Sequence, residues 1–205
     1  MTLQAADIVE CNRIAVREAV RVVDLAGDDD WERDSPCAGW TLRRLVAHMA
    51  AQHHGFAAAA RGAGHEAAHW QEPRALGEPA RVHRAAAADV LDAFAEPGAL
   101  EREFVLPELG GAFLGRRAVG FHLVDYVVHS WDVAATLGVE VLLPDEVLLA
   151  ALAVARRVPA DPALRGPGAA FAPVVPTPEE AEGAGALQET LRLLGRRPEL
   201  WPVRG

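Results

Sequence analysis

Residues 122–132 read HLVDYVVHSWD, and no other stretch restricts the fold as much. The segment holds no glycine or proline, so it is not a turn. With His122 at zero and about 100° per residue, Asp125 falls near 300° and His129 near 340°, within an arc of about 60° on one helical face. Asp132 continues the row, Trp131 points the opposite way, and Tyr126 and Val133 lie beside the stripe. A row of ionisable groups therefore borders apolar surface. A buried carboxylate beside imidazoles costs several kcal/mol unless it is paired, protonated or bound to a cation, so the rest of the chain must supply partners.

The other elements also read as helices. Residues 3–26 space Leu3, Ile8, Val9, Ile14, Val16, Val20, Val23 and Leu25 at helical intervals, and Gly27 with Asp28, Asp29 and Asp30 ends them. Thr41 is an N-cap for a second helix through LRRLVAHMAAQHHGFAAAARG, partial because Arg44 stands where a capping box has Glu. Residues 62–77 are expected to be a loop with a short turn, 78–95 a third helix, and 96–115 irregular. A fourth helix, Arg116 to Leu137, closes on Gly138. Pro144, Asp145 and Glu146 suit the first turn of a fifth. After Pro159 the chain is rich in Pro and Gly to about residue 186, then ends on a short helix, LQETLRLLG. The expected fold is an all-α bundle over residues 1–158, with an extension over 159–205 whose helix packs on it.

Composition narrows the partners. The chain of 205 residues is 51% hydrophobic with a net charge of −9, and its 20 basic residues are all arginine. Without a basic run it is not expected to grip nucleic acid or a membrane surface. Cys11 and Cys37 form no CxxC and read as reduced thiols, and the start, MTLQAADIVECNR, does not resemble a signal peptide. A cytoplasmic protein acting on a small molecule is expected. The apolar run VLLAALAVA of the fifth helix is either core or the face of a homodimer.

Asp125 and His129, four apart, can reach one ion, and a third ligand has to come from another helix. His48, within LVAHMAA, is the best donor. Each group also has an ordinary reading: His48 as a hydrogen-bonded core histidine, Asp125 and His129 as a helix-surface pair, Cys37 as a loop cysteine. His53 and His54, turned away from His48 on the same helix, read as surface residues. His65, His69 and His83 read as solvated, and Trp31, Trp40, Trp70 and Trp201 as core or lid.

Taken together, DSPCAGWTLRRLVAHMA and, further on, HLVDYVVHSWDVAATLG resemble the DinB-like metal-binding superfamily. The nearest branch is the mycothiol-dependent maleylpyruvate isomerase N-terminal domain and its single-domain relatives, which show Pro-Cys-x-x-Trp-Thr, a following His, and Glu-x-x-x-His before Trp-Asp. The ending FAPVVPTPEEAEGAGALQETLRLLGRRPELW carries the Gly-Arg-x-Pro of such a subgroup. The resemblance implies a four-helix bundle with one divalent metal held by His48, Asp125 and His129. Asp125 departs from the pattern, which has Glu. His122 is a further candidate ligand, because some members use three histidines. Asp132 is a further candidate ligand, a general base, or a group that orients His129 or bonds to backbone. Trp40, Arg116 and Arg117 are candidates for the substrate pocket.

Zinc is the first expectation, with nickel or iron as alternatives. The implied activity is a thiol-dependent transferase or isomerase that uses mycothiol as co-substrate on a small electrophile. The alternatives are a non-catalytic metal- or ligand-binding bundle, a metal-dependent hydrolase, or a fold in which the histidines pair with Asp125 and Asp132 and no metal binds.

Overall fold

In the computed structural model, residues 5–73, 77–161, 163, 165–166, 171–176 and 185–201 are described. Six helices are seen among them: α1 (Ala5–Val23), α2 (Leu42–Ala60), α3 (Pro79–Ala95), α4 (Gly115–Leu137), α5 (Asp145–Ala155) and α6 (Ala186–Leu193). The expected four-helix bundle is present. α1 lies along α4 and α2 along α3, with α1–α3 and α2–α4 contacts across the core, and α5 docks on α1, α4 and α6. α1 buries Ala15, Val16, Ala19, Val22 and Val23; of the residues spaced at helical intervals in the sequence, Ile8, Val16 and Val23 are buried, Val9, Ile14 and Val20 are half-buried, and Leu25 is exposed. Thr41 caps α2 by accepting from the Arg44 amide at 3.4 Å. α4 ends in a Schellman turn at Gly138 (φ +75°), where the Val139 amide donates to Ala134 and the Gly138 amide to Ala135. Most of the apolar run on α5 is core: Val147, Ala150, Ala151, Leu152 and Ala155 are buried, and Leu149 is exposed. Among the described residues no helix is long and apolar enough to cross a membrane.

The expectation of an irregular stretch over 96–115 is corrected. Two short strands, β1 (Glu103–Leu106) and β2 (Gly111–Leu114), pair antiparallel with Glu103 opposite Leu114. β1 alternates exposed and buried residues, so Phe104 and Leu106 enter the core. Four residues are too few for that alternation to stand out among flanking Pro and Gly. The hairpin rests on α2 and α4, which brings its turn toward the stripe of α4.

His53 and His83, read as surface and solvated, are instead fully buried. α2 is enclosed on nearly every side, so the face opposite His48 is interior as well. His122 Nδ1–H donates to Asn12 Oδ1 at 2.8 Å, which leaves its Nε2 to accept from His53 Nδ1–H at 3.1 Å. Tyr126 stacks on His53 at 3.9 Å and donates its hydroxyl to the Met49 carbonyl. His54 and His65 are exposed and His69 is partly so.

Trp70 lies on α2 where Gly55 leaves room, and donates to the Gly64 carbonyl at 2.8 Å. A Cβ at Gly55 would come within 2.2 Å of the ring. Gly55→Ala is therefore expected to destabilise by about 1–3 kcal/mol, although alanine favours a helix by about 1 kcal/mol. Urea denaturation followed by tryptophan fluorescence checks this, and an unchanged midpoint refutes it.

Candidate metal centre

Two helices and a loop deliver the polar groups to one end of the bundle. α2 carries His48 and Gln52 one turn apart, and α4 carries Asp125, His129 and Asp132. The 35–41 segment folds back on itself, with the Ser35 amide donating to the Trp40 carbonyl at 2.9 Å, and so presents Cys37 and Trp40.

His129 is the hub. Its Nδ1 is 2.8 Å from Asp132 Oδ2 and its Nε2 is 3.4 Å from Asp125 Oδ1. The first is a good charge-assisted hydrogen bond, and the second is ion-pair distance. The His48 ring centre lies 5.6 Å from that of His129, edge to face. His48 Nδ1 is turned to Glu72 Oε1 at 3.3 Å, which leaves its Nε2 for another partner. Trp40 stacks edge-on against His48 at 5.0 Å and carries Arg44 on its face at 4.5 Å.

The two sides of His129 differ in charge. On the Nδ1 side Asp132 is fully buried and gripped by Arg196, with Nη2 donating to Oδ2 at 2.8 Å and Nε to Oδ1 at 3.2 Å. The Cys37 thiol donates to Asp132 Oδ2 at 3.3 Å, and its sulfur accepts from Arg196 Nη2 at 3.3 Å. On the Nε2 side Asp125 and Glu72 are partly exposed, at 31% and 37% of their side chains. Glu108, in the hairpin turn, is held by Gln52 Nε2 at 3.2 Å. Arg44 approaches Glu72 there as well, at 3.9 Å.

Electrostatics follow this layout. Burial pushes the His129 imidazole down, but Asp125 and Asp132 outweigh it and hold its proton affinity well above the ordinary value. Burial pushes Asp125 up, and His129, with His48 and His122, outweighs it and leaves the carboxyl at about 2. His48 is lowered by burial and by the charge of His129. Burial, with Asp125 and Glu72, raises the Glu108 carboxyl. Burial and then Asp132 raise the Cys37 thiol, so it is not primed as a free thiolate.

Among the described residues, the group whose ligand atoms all lie within 4.8 Å is Cys37, His129 and Asp132. The Arg196 guanidinium already serves as the cation of that group, so a metal there would have to displace a two-pronged ion pair. The Nε2 side suits an ion better, because no two-pronged guanidinium pins its carboxylates and Asp125 and Glu72 are partly exposed. An imidazole whose Nδ1–H is tied to a carboxylate while Nε2 faces outward is the usual arrangement of a metal-binding histidine.

The structure brings His48, Asp125, His129, Asp132 and Trp40 to this end of the bundle. His122 is turned into the core, with both ring nitrogens partnered there. Arg116 is exposed and approaches Glu101 at 3.5 Å, while Arg117 lies over the Phe113 and Phe121 rings. At 1.5 Å per residue, they start about 14 and about 12 Å along α4 from Asp125, and neither joins the group. Sequence reasoning reads Cys37 as a loop cysteine and passes over Glu72, Glu108 and Arg196. Cys37 and Arg196 lie inside the Pro-Cys-x-x-Trp-Thr and Gly-Arg-x-Pro motifs, which was the available signal. Glu72 and Glu108 had none.

Known proteins share this architecture. The family model of the mycothiol maleylpyruvate isomerase N-terminal domain matches residues 13–134. An uncharacterized protein of Mycobacterium tuberculosis, found in strains CDC 1551 and H37Rv, is 32% identical over 159 residues, spanning 75% of this chain and 79% of its own. The crystal structure of the mycothiol-dependent maleylpyruvate isomerase matches with a TM-score of 0.59 at 17% identity, over 76% of this chain and 72% of that one. A histidine-to-alanine mutant of the same isomerase matches equally. At that identity the two structures establish the shared fold.

Proposed function

The chain belongs to the mycothiol maleylpyruvate isomerase N-terminal domain family, and on that premise we propose that it is a metal-dependent, thiol-dependent isomerase or transferase of the cytoplasm. The carrying observation is His129, tied at Nδ1 by Asp132 and facing Asp125 and His48 with the rest of its ring. In this reading His48, Asp125 and His129 hold one divalent ion, zinc first. When bound, the ion is a Lewis acid that keeps a low-molecular-weight thiol such as mycothiol in its thiolate form.

The protein's own groups do the rest. Asp132 holds the His129 ring so that Nε2 points at the ion position. Asp125 is one methylene shorter than the Glu of the family pattern, so α4 must bring its backbone close. Trp40, stacked on His48, shields one side of the approach and offers a flat apolar face to substrate. Glu108 is assigned the role of carrying a proton to or from substrate. Its raised proton affinity and its tether to Gln52 support that role.

Protein purified without a histidine tag is expected to contain about one equivalent of metal by elemental analysis, and His48→Ala or Asp125→Ala to lose it. Incubation with mycothiol and a small electrophile, monochlorobimane or maleylpyruvate, is expected to give turnover that metal removal abolishes. A metal-loaded protein without turnover would leave a non-catalytic metal-binding bundle. Metal-free protein, with His48→Ala indistinguishable from wild type, would refute the reading. Glu108→Gln is expected to lower turnover about 100-fold while leaving metal content unchanged.

A further inference from the structure

Arg196 lies far along the chain from the helices that carry the proposed ligands, and beyond residues 13–134, which the family model matches. We infer that it is a positioning residue of the site: it fixes the Asp132 carboxylate, which orients His129, so the C-terminal segment completes a site whose ligands lie on α2 and α4. For the ion this rests on the proposed function; for the orientation of His129 it stands on geometry alone.

The delivery of Arg196 is built into the end of α6. The Gly195 amide donates to Arg192 and the Arg196 amide to Leu191 at 2.8 Å, the two bonds of a Schellman turn. Gly195 adopts φ +84°, and a Cβ there would meet the Ala172 methyl at 2.5 Å. The glycine of the Gly-Arg pair therefore turns the chain, and the arginine leaves the turn toward α4. Arg196 Nη1 donates to the Leu194 carbonyl at 3.0 Å, which steadies the stem. Nε and Nη2 then meet the two oxygens of Asp132, and Nη2 also touches Cys37 Sγ.

This geometry leaves Asp132 no freedom. Its Oδ1 is committed to Arg196, and its Oδ2 faces Arg196, His129 Nδ1 and Cys37 together. A carboxylate pinned at both oxygens holds the imidazole in one rotation. A two-pronged guanidinium does this where an ammonium cannot. Groups that hold a metal-binding histidine in this way typically change metal affinity 10- to 100-fold when removed.

Zinc titration of the full chain tests the inference. Arg196→Ala is expected to bind zinc about 10- to 100-fold more weakly than wild type. Arg196→Lys keeps the charge without the fork, so it is expected to fall between them, and it carries the test if the alanine variant does not fold. Because Arg196 acts through Asp132, Asp132→Asn/Arg196→Ala is expected to bind no more weakly than Asp132→Asn alone. Wild-type affinity in both Arg196 variants, with Asp125→Ala failing to bind, overturns the inference and leaves the metal reading intact. If wild type binds no zinc, the metal reading falls, and proton NMR of the His129 Nδ1–H, identified by its loss in His129→Gln, decides. Loss or broadening of that signal in the Arg196 variants supports the orienting role, and an unchanged signal overturns it.

Discussion

Acidification from about pH 7 to about pH 4.5 is expected to unfold this protein cooperatively, and His83→Leu to move the midpoint to lower pH. His53, His83 and His122 are fully buried. Burial lowers His122 to about 3, and burial with the charge of Arg84 lowers His83 to about 3. Burial, together with His83 and His122, drives His53 well below its ordinary value. In the unfolded chain each titrates near 6.5. Between about 6.5 and 3 the unfolded chain takes up protons that the folded one refuses, so stability is complete above this window and falls as pH is lowered through it.

One such group contributes about 1.4 kcal/mol per pH unit, and His83 with His122 about 3. Two units below 6.5 their loss is about 5 kcal/mol, and His53 adds in the same direction; the whole stability of a domain is about 5–15 kcal/mol. Asp125, held at about 2, adds in the same direction once its unfolded counterpart protonates near 3.9. His129 opposes them: its raised proton affinity contributes stability that is present below about 6.5 and is lost as pH rises through its folded value. Both ring nitrogens of His83 are buried without a hydrogen-bond partner, so leucine removes a desolvation penalty as well as a proton-linked one. Urea denaturation at a series of pH values reads the outcome. An acid limb whose slope is the same in His83→Leu as in wild type would falsify the assignment.

Removing the Asp132 side chain should be the most damaging single change near the site. Asp132→Ala is expected to cost about 3–5 kcal/mol, because Arg196 and His129 would both keep their positions with no carboxylate between them. For a chain of this size that lowers Tm by about 6–20 °C. Replacing both partners by apolar residues, Asp132→Leu with Arg196→Met, should cost less than Asp132→Ala alone, because the guanidinium is then not left stranded beside His129. Differential scanning calorimetry compares the variants. A double variant as unstable as the sum of the single ones would show that the pair is not coupled.

The site was partly legible before any coordinates. The intervals between His122, Asp125, His129 and Asp132 are an angular property of any α-helix, so their sharing of a stripe could be read directly. His48 stood out as an imidazole in an apolar stretch. The stripe did not reveal how the groups divide: His122 turns inward to Asn12 and His53, while Asp125, His129 and Asp132 face the site. A few tens of degrees on one helix separate the two surroundings, and the neighbouring helices decide which is which.

His53 and His83 show the same limit from the other side. Their distance from His48 around α2, or their closeness to loop-like sequence, suggested water, but at that level of α2 only His54 reaches it, while His53 faces the core. Glu72 and Glu108 carry no sequence signal, and the motifs that hold Cys37 and Arg196 do not tell their roles, because those come from long-range contacts. Cys37 and Arg196 are 159 residues apart and touch, and Gln52 and Glu108 are 56 apart.

The sequence alone determined the helices, their caps and the bundle that they imply, because periodicity and turn chemistry are local and act the same wherever a segment lies. It also determined the candidate ligands on α2 and α4, through residue type and spacing. Only the tertiary structure decided that a guanidinium from the C-terminal segment clamps Asp132, that one side of His129 is charge-balanced and the other open, and that three histidines lie in the core. Burial and charge compensation are properties of what surrounds a group in space, and a single chain position does not carry that information until the distant segments have packed around it.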